Sequence, residues 1–177
     1  MSKIQYEGTA EFSEDLLYRW VLTRENLIPG CSRVLVDIGL NPSTATAEKG
    51  DRTIDKGILY AIAWGCGRFV KANAYGYRTK DPKIMFEAKR QGIDIVGSEN
   101  DAAILRCVNL VQEHGGIVLA AWGGNIEPFR QEQLVELLAG VPLHCVKRNE
   151  DKWGTPKHYL YEKNSAQPIL WTYQKKA

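Results

Sequence analysis

An apolar run from Val34 to Leu40 stops on Asn41-Pro42-Ser43-Thr44, which sets a carboxamide and two hydroxyls directly after a segment suited to burial. A carboxamide offers an acceptor and two donors, so Asn41 can hold a water or read the edge of a base. A second carboxamide, Asn73, ends another apolar run, and Trp122-Gly123-Gly124-Asn125 ends a third. Lys147, Arg148, Thr155, Pro156, Lys157, His158 and Tyr159 follow a fourth. An aromatic face beside an edge-reading amide is how a nucleobase is gripped outside a duplex. Tyr75 or Trp122 can supply that face, and Lys147, Arg148 and Lys157 can meet a phosphate. Plainer roles fit the same residues. Asn41 to Thr44 also reads as a turn followed by a helix cap, Asn73 as a tie for its own loop, and Trp122 as core.

Carboxylates offer a different chemistry, a hydrolase in which Asp37, Asp51 or Asp55 acts as base. Asp51 and Asp55 are four apart, on one face of a helix that includes both. A solvated helix start is the plainer account of that pair. Asp37 lies inside an apolar strand, where a carboxylate is costly unless paired. Arg33, Lys71 or a loop amide can satisfy it.

The elements that must position these groups follow from the pattern. "RVLVDIGL" (33–40), "RFVKANAY" (68–75), "IVLAAW" (117–122) and "PLHCVKR" (142–148) are short apolar runs of the kind that form strands buried on both faces. Between them lie helix patterns at 51–65, 81–92, 98–116 and 127–140. The second has Asp81 as cap and Pro82 at its first position; the third has Ser98 or Asn100 as cap. "LLYRWVLTR" (16–24) reads as a further strand in an N-terminal extension, and 153–161 as loop. Strand alternating with helix predicts an α/β domain, a three-layer α/β/α arrangement on a four-stranded, mainly parallel sheet. Ligands of such sheets bind beyond the carboxyl ends of the strands, the edge where Asn41, Asn73, Trp122 and the 155–159 loop gather. The expected organisation is an extension at 1–30, a single domain at 31–161 and a tail at 162–177.

Composition narrows the classes. The chain has 177 residues and a formal net charge of +2, without the basic excess of a strong electrostatic nucleic-acid binder. Its four cysteines, at 31, 66, 107 and 145, have neither zinc-ligand nor CxxC spacing. With a polar N-terminus and no apolar run of membrane-spanning length, the expectation is a cytoplasmic protein with reduced thiols, no metal and no cofactor.

In their order along the chain, these motifs resemble the uracil-DNA glycosylase superfamily. In its mismatch-specific uracil/thymine branch, the loop after the first strand reads Gly-Ile-Asn-Pro-Gly, similar to Gly39-Leu40-Asn41-Pro42-Ser43 here. The resemblance implies that Asn41 positions the attacking water and that Asn73 reads the base. It also implies that Trp122-Gly123 stands at the third strand. The superfamily's His-Pro-Ser after the fourth strand is Thr155-Pro156 in this sequence, with His158 two residues later. Either His158 takes the imidazole's role, or Thr155 offers a single uncharged hydrogen bond.

Over residues 16–161 the chain is similar to a bacterial and phage family called domain of unknown function 1643. It shares with that family Leu40 to Ala45, Asp51 with Thr53, Gly97 with Glu99 to Ala102, Ala120 to Gly123, and "TPKHYLY" at 155–161.

The sequence thus supports two functional expectations. One is a metal-independent N-glycosidase acting on a nucleotide or on DNA containing a modified base, with Asn41, His158 and Thr155 catalytic. Gly39, Pro42, Ser43, Thr44, Asn73, Tyr75, Trp122, Gly123 and Lys157 would then bind the substrate. The other is a nucleotide or modified-base binding protein that breaks no bond.

Overall fold

The computed structural model describes residues 6–43, 45–151 and 154–173. In chain order it contains β1 (Glu7–Phe12), β2 (Arg19–Glu25), β3 (Val34–Gly39), α1 (Arg52–Ala63), β4 (Arg68–Asn73), α2 (Pro82–Arg90), α3 (Asn100–His114), β5 (Gly116–Ala120), α4 (Pro128–Leu137), β6 (Leu143–Cys145), a single 3-10 turn (Tyr159–Tyr161) and β7 (Ile169–Leu170).

The strands form one seven-stranded sheet in the order β1-β2-β4-β3-β5-β6-β7. Its centre, β4-β3-β5-β6, is parallel, while β1, β2 and β7 run antiparallel at the flanks. This corrects the four-stranded expectation. The additional strands lie toward the sheet's flanks: "EGTAEF" alternates exposed and half-buried residues, and β7 is two exposed residues long. Strands that bury so little carry little hydrophobic signal. The N-terminal segment is therefore part of the sheet, with Leu22 opposite Lys71 and Arg24 opposite Phe69.

Alternation along the central strands sorts the core into two faces. Val34, Val36, Ile38, Val70, Ala72, Val118 and Ala120 pack with Ala103, Ile104, Cys107 and Val108 of α3. Leu35, Phe69, Leu119 and Ala121 pack with Ile54, Ile58 and Ala61 of α1 and with Tyr159. Leu59 of the same helix is 39% exposed.

Helix ends follow local chemistry, with one correction. Asp51 caps α1 by accepting from the Thr53 and Ile54 amides, and Asp81 caps α2 through the Lys83 amide. At α3 neither Ser98 nor Asn100 caps. Glu99 holds that position without a side-chain bond. Asn100 lies inside the helix and donates to the Asn73 and Ala74 carbonyls at 3.0 and 3.3 Å. Asp101 pairs with buried Arg130, whose Nε donates to the Ala74 carbonyl at 2.8 Å. The Glu-Asn-Asp-Ala stretch thus pins the carboxyl end of β4.

Candidate active site at the sheet's carboxyl edge

The connections leaving β3 and β5 run to opposite sides of the sheet, β3 to β4 and β5 to β6. Carboxyl ends of such a strand pair splay a crevice between their loops. A cavity of about 450 Å³ lies there, lined by Leu40, Asn41 and Ser43 after β3 and by Trp122, Gly123, Gly124 and Asn125 after β5. Asp51, Thr53 and Ile54 at the start of α1, Thr79 and Lys80 after β4, and Asn149, Lys157, His158 and Tyr161 after β6 complete much of the wall, with Arg19 and Lys71 from the sheet. The loops are fastened to one another. Ala121 N–H donates to the Ile38 carbonyl at 2.9 Å, Gly123 N–H to Pro156 at 3.0 Å and Lys157 N–H to Lys147 at 2.7 Å.

Asn41 donates its amide nitrogen to two carbonyls, Thr79 at 2.9 Å and Pro42 at 3.2 Å. Only N–H can satisfy a carbonyl, so the orientation of the carboxamide is fixed and Oδ1 is left as an acceptor with no partner among the described residues. The Thr79 amide returns a bond to the Pro42 carbonyl at 3.0 Å, making a rigid mount. Ser43 donates to Asp51 Oδ2 at 2.8 Å, while Asp51 Oδ1 accepts from the Thr53 and Ile54 amides. Burial works to raise the Asp51 carboxyl, but the Ile54 amide, the Ser43 hydroxyl, the Thr53 amide and the Lys71 charge together hold it below its ordinary value. Its oxygens are engaged, so it is a poor general base. Asp55 is exposed and outside the cavity wall.

Asp37 and Lys71 face each other in register on β3 and β4 and form a buried ion pair at 2.7 Å. Tyr159 donates its hydroxyl to the same carboxylate oxygen. Burial, then the charge and hydrogen bond of Asp37, push the Tyr159 phenol well above its ordinary value, so it remains a donor. Gly39 makes room for this arrangement: a Cβ there would stand 2.4 Å from Lys71 Nζ. Lys71 therefore reaches the cavity from a strand that is otherwise apolar.

His158 lies against Tyr159, ring centroids 5.3 Å apart. Its Nδ1 accepts from the Leu160 amide at 3.2 Å, which places the proton of the neutral ring on Nε2. Burial, then the Lys71 charge, lower the imidazole's pKa against the pull of Asp37 and Asp51. A neutral N–H donor on the cavity wall is the result.

Other sequence candidates lie elsewhere. Thr155 is buried, accepting from Asn149 Nδ2 at 2.8 Å and donating to Asp151, and does not line the cavity. Asn73 is fully buried behind Gly39, and neither side-chain atom finds a partner among the described residues. Tyr75 points away, its hydroxyl bonded to Glu127 Oε2 at 3.1 Å and its ring against Phe86. Trp122 lines the cavity at 1% exposure, anchored by Nε1 on Gln131 at 2.9 Å. Arg148 donates to the Leu170 carbonyl, and neither it nor Lys147 and Pro42 line the wall. Thr44 lies outside the described residues.

Asp51 was named as a base and serves as a helix cap, whereas wall residues that the sequence did not single out include Arg19, Lys80 and Tyr161, the last 83% exposed. Lys71 joins them, named beforehand only as one partner for Asp37. Among the described residues, no group of three or more His, Cys, Asp or Glu side chains could hold a metal. No helix among them is long and apolar enough to cross a membrane.

The fold and crevice define an α/β protein with a polar site at the switch point of its sheet. The chain belongs to the family described as "Protein of unknown function (DUF1643)", which matches residues 19–160. No curated protein and no solved structure matches it.

Proposed function

We propose that this cavity recognises a nucleobase or nucleotide and hydrolyses its N-glycosidic bond, in the manner of the uracil-DNA glycosylases that the motif order resembles. The observation that carries the reading is Asn41, whose amide nitrogen is tied to Thr79 and Pro42 so that its oxygen, without a partner among the described residues, remains on the cavity wall. That acceptor would hold a water by one of its protons, with an oxygen lone pair left for the anomeric carbon. The bond from water oxygen to that carbon forms as the glycosidic bond breaks, the base departs with the bonding pair, and the proton that the water loses passes through solvent to the departing base.

Negative charge then grows on the base. The Nε2–H of His158 is the donor suited to meet it, because a neutral imidazole held in one tautomer stabilises developing charge. The Lys71 ammonium, fixed by Asp37 and Tyr159, adds a positive field to the same wall. Exposed Tyr161 at the cavity and the edge of Trp122 offer apolar surface to the base.

Recognition without bond cleavage is the second reading. It is favoured by Thr155, which stands where the resembled superfamily has histidine and whose hydroxyl is already engaged with Asp151.

The test is release of free base, read by mass spectrometry, from a panel of nucleosides, nucleotides and modified-base DNA. Release should fall by a factor of about 10²–10³ in Asn41→Ala and in His158→Ala, the scale of losing one positioned polar group. Binding without release from any member would retire the catalytic reading in favour of the second.

A further inference from the structure

Arg19, the first residue of β2, lines the cavity at only 2% exposure. Nη1 donates to the Ala45 carbonyl at 2.8 Å, while Nε is buried without a partner among the described residues. None of the ion pairs among the described residues includes Arg19. Burial, with the like charges of Arg78 and Arg24, draws its pKa down to about 10 against the pull of Asp51. A buried guanidinium without a counter-ion is costly, and a bound anion would offset that cost. Asp51 is a weak candidate for the counter-ion, since its oxygens are engaged by the Ser43 hydroxyl and two amides. The same engagement occupies the Thr53 and Ile54 amides at the start of α1.

The charges around the cavity point the same way. Among the described wall residues, Arg19, Lys71, Lys80 and Lys157 stand against the single carboxylate of Asp51. Lys71 is paired with Asp37 behind the wall and Lys157 with Glu162 at 2.8 Å. Arg19 and exposed Lys80 remain without a carboxylate among the described residues. A planar donor fork beside a mobile ammonium is the usual pairing for a phosphate.

We propose that Arg19 and Lys80 form a phosphate subsite in this cavity and that the ligand is a free nucleotide, held by the phosphate monoester as well as by its base. This rests on the nucleobase reading above and narrows it. A free nucleotide fits better than a long polymer, because the formal net charge is only +2 and four cations converge on one cavity rather than along a stripe.

Isothermal titration of the full chain at low salt tests this, with nucleoside 5′-monophosphates, the matching nucleosides, inorganic phosphate and a single-stranded oligonucleotide as probes. The preferred monophosphate should bind at least about tenfold tighter than its nucleoside, the range of one charge-assisted contact. That advantage should shrink in Lys80→Met and vanish in Arg19→Met. Lys80 is exposed, so its variant remains informative if the Arg19 variant fails to fold. Equal affinity for nucleoside and monophosphate would overturn the subsite while leaving the base reading intact. Binding of inorganic phosphate as tightly as any nucleotide would support the subsite and overturn the base reading. An oligonucleotide bound far more tightly than every monophosphate would overturn the free-nucleotide assignment.

Discussion

Lys71 shows how one residue makes an apolar strand serve a polar site. Its ammonium is buried against Asp37 at 2.7 Å, and Tyr159 shares the same oxygen. Replacing one partner of a buried pair leaves the other charge uncompensated. Asp37→Asn should therefore cost about 3–5 kcal/mol of unfolding free energy in urea titrations, and Lys71→Met added to it should recover much of the loss. Additive losses in that double-mutant cycle would show the pair to be uncoupled. His158 gives a pH signature of its own. Its folded pKa lies below the ordinary value of 6.5, so on acidification the unfolded chain takes up the proton first. Stability is whole above about pH 6.5 and falls as pH drops toward the folded pKa, below which the loss levels off. His158→Gln should flatten the slope of melting temperature below about pH 6.5, and an unchanged slope would place the imidazole in water.

At the scale of elements, close approach between α1 and the sheet sets the geometry. A Cβ on Gly57 would stand 2.4 Å from the Phe69 ring and 3.0 Å from the Tyr159 hydroxyl. Helix propensity alone favours Ala over Gly by about 1 kcal/mol. Overpacking of a full core costs about 1–3 kcal/mol, so Gly57→Ala is expected to destabilise, as thermal melts would show. Removing the α1 cap with Asp51→Ala should cost about 1 kcal/mol and removes the bond that Ser43 makes to it. What the sequence disclosed at this scale followed burial. The apolar runs containing Val34 to Leu40 and Ile117 to Ala121 announced β3 and β5, and Asp81-Pro82 announced α2. Glu7 to Phe12 and Ile169-Leu170 were not legible, because strands with little buried surface leave a weak apolar pattern. Nor was the choice of Lys71 over Arg33 as the partner of Asp37. That depends on the β3–β4 register, which no local pattern encodes.

The whole molecule determines which polar residues meet. Asn41, Ser43, Trp122, Gly123, Lys157 and His158 come together on one cavity wall because the connections leaving the parallel strands β3 and β5 run to opposite sides of the sheet. Their place after strands was readable from sequence. Asn73, Tyr75 and Thr155 follow strands as well, yet their side chains are committed to burial or to internal partners, a distinction that depends on packing. Arg19 reaches the same wall only because the N-terminal ribbon extends the sheet beside β4. The most direct test of this crevice as the ligand site is chemical-shift mapping by NMR while the nucleobase and nucleotide panel is titrated into the full chain. The account predicts shifts at the Trp122 indole N–H and the Gly123, Gly124 and Lys80 amides, with Gly116, Gly140 and Val141, at the other end of the sheet, unmoved. Shifts confined to that opposite end, or none from any panel member at millimolar concentration, would contradict it.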